Sequence, residues 1–251
     1  MVFQGLILFN TLKQDILNDD VLDIKGTKIP NFFKKDYELQ FEFCHQFIEL
    51  YQDVVLQPAS YLSYENEYCY IKEGDVVFDC GANMGLFAAY AASKGATVHC
   101  FEPSAENREL LKLTQELYPD LITIHPYAVS NFTGTEKMCV CDNPAANHLA
   151  RYAVNQDCII VKNEEVEVIS IDDFVNINNI IPTFIKIDVE GAEVDAVIGA
   201  QKTISNYAPN VSVAFYHTFG NENRLRSFMK DSFQEFKVQR KRENLLLYKN
   251  N

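Results

Sequence analysis

The sequence predicts an α/β fold: a mostly parallel sheet of seven strands, closed by an antiparallel C-terminal hairpin. Three observations carry this. Val76, Val77 and Phe78 run into Asp79 and a turn with glycines at 81 and 85, and a helical pattern, LFAAYAASKG, follows. A second strand, ATVHCFEP, ends on Glu102, twenty-one residues after Gly81. A second strand-turn-helix unit, TFIKIDVEGAEVDAVIGAQKTI, lies in the second half of the chain. Strands alternating with helical patterns at this spacing build parallel sheets, whose ligands sit beyond the carboxyl ends of the strands.

The first turn indicates what it holds. A dinucleotide fingerprint places a second glycine where backbone closes on a pyrophosphate. Here that position is Asn83. Its amide crowds a pyrophosphate but suits an amino-acid carboxylate at the helix N-terminus. S-adenosylmethionine, a nucleoside joined to an amino acid without phosphates, matches better than NAD. An acid about 20 residues beyond the first glycine accepts ribose hydroxyls, so Glu102 is the expected ribose clamp.

The other elements follow in order. Residues 1–60 read as an N-terminal helical segment packed on the catalytic domain, which spans 61–251. YLSYENEYCYIKEG brings Glu65, Glu67 and several tyrosines toward the cofactor turn, where packing is the commoner role for aromatic rings. LITIHPYAVS reads as strand three, and Tyr127 and Ala128, leaving it, are placed to flank an adenine ring. MCVCD and DCIIVKNEEVEVISI read as short strands or a hairpin. Between them DNPAANHLARYAVNQ is an irregular excursion near the sheet's carboxyl edge, a candidate substrate lid. IDDFVNINN is a short helix with acids in its first turn. Strand four runs from Phe184 to Asp188, with Lys186 on the same face as Asp188 and a structural ion pair expected there. APNVSVAFYHT gives strand five, ending near His217; RLRSFMKD is a helix, and FKVQR and ENLLLYK complete the sheet.

Composition narrows the function. The 251 residues are 47% hydrophobic and carry a net charge of −13, which repels nucleic acid at long range. Residues 221–251 hold eight basic residues against four acidic, attributed to charged outer strands. Apolar runs of membrane-spanning length are lacking, and MVFQGLILFN carries no basic segment before its apolar patch, so neither a span nor a signal peptide is expected. The cysteine count is odd, seven, and Cys80 and Cys100 fall in strands read as buried, which suits the reducing cytoplasm. Cys139, Cys141, His148 and Cys158 are permissible zinc ligands at a nonstandard spacing. Asp188, Glu190 and Glu193 are oxygen ligands for Mg²⁺, with favourable placement at a helix start the simpler reading. No metal is expected.

With VVFDCGANMG, FEPSAEN, YAVSN, ISIDDF, FIKIDVEGAE and YH in this order, the chain resembles the FkbM family of S-adenosylmethionine-dependent methyltransferases over roughly residues 61–219. The resemblance implies a class I methyltransferase, Rossmann-like fold of strand order 3-2-1-4-5-7-6. It implies O-methylation of hydroxyls on a small-molecule, sugar or lipid-linked acceptor. It puts the methionine moiety at Asp79, Gly81, Asn83 and Gly85, the ribose at Glu102, and Asp188, Glu190 and Glu193 at the active mouth. Methyl transfer to a hydroxyl needs an aligned acceptor and a base. His217, a neutral imidazole at neutral pH unless perturbed, is the candidate base, and Asp188 is expected to position the acceptor or the cofactor amine. The alternatives are an NAD-type oxidoreductase, disfavoured by Asn83, and a non-catalytic partner subunit that binds S-adenosylmethionine.

Overall fold

The structure is a computed structural model describing residues 20–24, 26–32, 64–152, 158–217, 220–241 and 243–249. Val21–Ile24 (β1) and Thr27–Pro30 (β2) form an antiparallel hairpin. The described part of the expected N-terminal helical segment is therefore strand; the helical stretch FFKKDYELQFEFCHQFIELYQ lies almost wholly outside the described residues. Leu22, Ile29 and Phe32 are buried in one cluster with the first helix of the domain, and the Lys28 amide donates to Tyr118 Oη at 2.7 Å.

The domain then alternates as the patterns predict. Val76–Cys80 (β3), Leu86–Ser93 (α1), Thr97–Phe101 (β4), Ala105–Leu117 (α2) and Ile122–His125 (β5) form one half. Ile171–Asn178 (α3), Phe184–Ile187 (β10), Glu193–Ile198 (α4), Gln201–Tyr207 (α5), Asn210–Ala214 (β11), Asn221–Ser232 (α6), Lys237–Lys241 (β12) and Asn244–Tyr248 (β13) form the other. The sheet order is β12-β13-β11-β10-β3-β4-β5, with β13 antiparallel to both neighbours. Numbered within this sheet, the order is the expected 3-2-1-4-5-7-6. Helix α1 is apolar on nearly all sides because it is buried between the hairpin and the sheet. Helices α2 and α3 start at Ser104 and Ser170, whose hydroxyls accept from the amides of Asn107 and Asp173.

The interval between the halves differs from expectation. LITIHPYAVS is not one strand: Pro126 lacks an amide hydrogen, and the chain leaves the main sheet there. Tyr127–Val129 (β6) pairs instead with Ile160–Ile169 (β9) in a separate four-stranded sheet. That sheet also holds Gly134–Cys141 (β7) and His148–Leu149 (β8), with a 3₁₀ turn at Pro144–Ala146 between them. Met138, Val140, Leu149, Val166 and Val168 form its own core. The order of the main sheet reverses between β3 and β10, which opens a crevice at their carboxyl ends.

Candidate active site

A cavity of about 540 Å³ occupies that crevice. Gly81, Ala82 and Asn83 form its floor, Glu102 and Tyr127–Val129 one side, and Lys186, Asp188 and Glu190 the opposite side. Tyr64 and Tyr216 complete the acidic end, and residues of the second sheet, including Met138, His148 and Leu149, close it over. The candidate lid thus supplies wall residues at 143–145 and 147–149, while its residues 153–156 lie outside the described residues.

Backbone shape defines the glycine bend. Gly81 has φ +80°, and a Cβ there would stand 1.8 Å from the Asp188 carbonyl oxygen, so only glycine lets the two strand ends close on each other. Asn83 also lies in the left-handed region at φ +50°, which Asn tolerates better than most residues. Its amide donates to Glu102 Oε2 at 2.8 Å. Glu102 Oε1 accepts from the Ser104 amide at 2.9 Å and the Asn107 amide group at 3.4 Å. The predicted clamp is therefore held rigidly against the bend. Burial raises its pKa, and these hydrogen bonds pull the other way.

Two expected cofactor contacts stand back from the cavity. Gly85, at φ +88°, begins α1 and packs against Leu111 and Thr114. Asp79 is fully buried beneath the floor. Its Oδ1 lies 3.0 Å from Lys186 Nζ, which in turn donates to the Gly81 carbonyl at 2.7 Å. The ion pair expected at the Lys186–Asp188 pair of positions is thus made to Asp79, because Lys186 and Asp79 are register partners across β10 and β3. Burial raises the Asp79 pKa and Lys186 offsets part of the rise. Glu65 also faces elsewhere: it pairs with Lys94 at 2.9 Å and accepts from Tyr90 Oη on α1.

The acidic end is a network. Asp188 accepts from Tyr64 Oη at 2.6 Å and from Tyr216 Oη at 3.4 Å. Burial works to raise its pKa, but Lys186, His217 and the two tyrosines hold it below the usual carboxylate range. His217 is 1% exposed and does not line the cavity. Its Nδ1 lies 2.7 Å from Glu193 Oε1, and its Nε2 lies 3.1 Å from Glu190 Oε1 and 3.4 Å from Asp188 Oδ1. Burial alone favours a neutral ring, yet Glu190 and Glu193 keep its pKa well above 6.5. Three carboxylates thus surround the ring, a perturbation that the sequence did not disclose. Burial pushes Glu190 up to about 7, against the pull of His217. Glu190 reaches this place through a left-handed backbone, φ +52°, and Gly191 follows at φ +98°. Sequence reasoning missed Tyr216 as a wall residue and singled out no one tyrosine near Tyr64, because nothing local distinguishes a wall tyrosine from a core one.

The cysteine cluster is partly assembled. Cys141 Sγ lies 2.7 Å from Cys158 Sγ and 4.0 Å from His148 Nδ1, but that nitrogen is 2.9 Å from the Ala146 carbonyl, which fixes a proton on it. Cys139 turns to Asn163 instead. The four-ligand zinc set is therefore not formed.

A crevice of this composition, at the point where a sheet of this order reverses, defines a class I methyltransferase fold. The chain belongs to the FkbM methyltransferase family: the model described as Methyltransferase FkbM domain matches residues 79–239. The 31-O-demethyl-FK506 methyltransferase FkbM of Streptomyces tacrolimicus is 36% identical over 70 residues, which are 27% of this chain and 27% of that protein. The crystal structure of methyltransferase FkbM from Methylobacillus flagellatus KT superposes with a TM-score of 0.53 at 22% identity, covering 98% of this chain. This chain spans 58% of the length of that one.

Proposed function

We propose that this chain transfers a methyl group from S-adenosylmethionine to a hydroxyl of a small-molecule, sugar or lipid-linked acceptor. The observation that carries the reading is that one cavity holds the glycine bend and Glu102 together with a carboxylate end at Asp188 and Glu190. Its volume, about 540 Å³, lies in the range of small-molecule sites. In this reading the bend at Gly81–Asn83 receives the methionine moiety, Glu102 the ribose hydroxyls, and Tyr127 and Ala128 the adenine. Asp79 and Gly85 act from behind the bend. A cationic sulfonium suits a cavity whose far wall is acidic. Asp188, kept ionised, orients the acceptor hydroxyl at the Asp188–Glu190 edge, where a carboxylate takes the proton as the methyl group leaves sulfur for oxygen. His217, off the cavity, is a positioning residue.

The net charge of −13 suits an uncharged or cationic acceptor over nucleic acid. The six cysteines among the described residues are free and no described helix is long and apolar enough to cross a membrane, which supports a cytoplasmic placement. Calorimetry with S-adenosylhomocysteine and with NAD tests the reading. Heat with the first and none with the second is expected; the reverse identifies an oxidoreductase. Asp188→Asn should keep S-adenosylhomocysteine binding and lose methyl transfer by about 10²-fold or more. Full turnover in that variant would remove Asp188 from the reaction.

A further inference from the structure

The acidic end has the form of a cation site. We infer that Asp188, Glu190 and His217 bind a divalent first-row metal ion at the cavity wall, with open coordination positions facing the acceptor. This role in methyl transfer rests on the reading above; the binding itself does not.

Distances come first. Metal–ligand bonds of ~2.1 Å put neighbouring ligand atoms about 3.0 Å apart in octahedral sites and about 3.4 Å apart in tetrahedral ones. His217 Nε2 lies 3.1 Å from Glu190 Oε1 and 3.4 Å from Asp188 Oδ1, and one ligand atom from each of the three residues lies within 4.8 Å of the others. Both carboxylate oxygens therefore already stand at ligand spacing from Nε2, and the three groups are close enough to share one ion.

The histidine supplies an independent observation. Its ring is 1% exposed, its Nδ1 is fixed at 2.7 Å by Glu193, and Nε2 has no aligned hydrogen bond although it faces Glu190 and Asp188. A ligating histidine characteristically donates its other ring nitrogen to a carboxylate, which sets the tautomer and the ring plane. Glu193 is itself braced by the Gly191 amide at 3.0 Å. The left-handed Glu190 backbone adds to this, since strain of that kind at a non-glycine residue accompanies functional placement.

Charge and access agree. Asp188, Glu190 and Glu193 converge on one imidazole, with the Asp79–Lys186 pair nearby. Asp188 and Glu190 line the cavity, whereas His217 lies behind them, so an ion between the three exposes one side to the cavity. One imidazole with two carboxylates suits Mn²⁺, Fe²⁺ or Zn²⁺ better than Mg²⁺, which prefers oxygen throughout. An ion there would hold an acceptor oxygen and make its proton more acidic.

The test uses the full chain stripped with EDTA and titrated with Mn²⁺, following loss of the free-ion signal by electron paramagnetic resonance. One Mn²⁺ per chain is expected, together with a rise in melting temperature. Glu193→Gln should weaken uptake by about 10–100-fold, and Glu190→Gln and His217→Gln by more. Melting curves establish that each variant is folded. A wild-type chain that takes up no Mn²⁺ at millimolar concentration, with an unmoved melting temperature, overturns the site whatever the variants do. Folded variants that bind as tightly as the wild type also overturn it. S-adenosylhomocysteine calorimetry on the metal-free chain keeps the two readings apart. Heat without Mn²⁺ uptake sinks the metal site alone, and Mn²⁺ uptake without heat supports the site and removes the methyltransferase reading.

Discussion

The two ends of the cavity are built on different plans. At the glycine bend the backbone does the work: Gly81, Asn83 and Glu102 come from one strand-turn-helix-strand unit and lock together through main-chain amides. At the acidic end side chains do the work: Tyr64, Asp188, Glu190, Glu193, Tyr216 and His217 come from separate segments and meet through carboxylates. The first arrangement tolerates no change of shape, and the second no change of charge.

The largest expected effect breaks the first plan. Gly81→Ala puts a Cβ onto the Asp188 carbonyl at a left-handed φ, which should cost about 3 kcal/mol or more and abolish S-adenosylhomocysteine binding. A melting curve within a degree of wild type would mean the strand ends are not pressed together there. Glu102→Ala comes next. Losing a charged partner for the ribose should weaken S-adenosylhomocysteine by about 2–3 kcal/mol, roughly 30- to 150-fold, and calorimetry showing unchanged affinity would put the ribose elsewhere.

Changes of charge probe the second plan. Burial places Glu190 at about 7 against 4.5 unfolded, with His217, Asp188 and Glu193 facing it. Between those values the folded chain holds a proton that the unfolded chain has lost, so in metal-free protein this group makes stability fall as pH rises. Glu190→Gln should remove a slope of up to about 1.4 kcal/mol per pH unit in that window. Denaturant titrations of both chains at pH 5, 6 and 7 measure it, and parallel curves would show that Glu190 titrates normally. The smallest effect is Tyr64→Phe, which removes one hydrogen bond to Asp188 and should cost about 1 kcal/mol. A variant as stable as wild type in the same titrations would show that Tyr216 and Lys186 suffice.

The same division governs what could be read in advance. The bend, the strand after it and the position of Glu102 were legible because turn, helix start and acid fall within about 20 residues at the spacing of a nucleotide-binding unit. The βα unit at 184–198 was legible for the same reason. The second sheet was not: strand three was expected to continue through Pro126, and the missing amide redirects it into a pairing with β9, whose partner residues lie forty positions away. The surroundings of His217 were equally hidden. Its own neighbours, Tyr216 and a strand of apolar residues, say nothing of Glu190 and Glu193, which arrive across the fold from the turn after β10.

The sequence by itself determined the first strand-turn-helix-strand unit, its glycine bend and the acid that ends the second strand, because each depends on contacts between residues close along the chain, whereas the sheet order came with the family resemblance. Only the tertiary structure decided which cation meets Asp79, which carboxylates surround His217, and which second sheet closes the cavity. Those follow from strand register and from burial, which raise or lower a group's affinity for protons according to what the fold brings beside it.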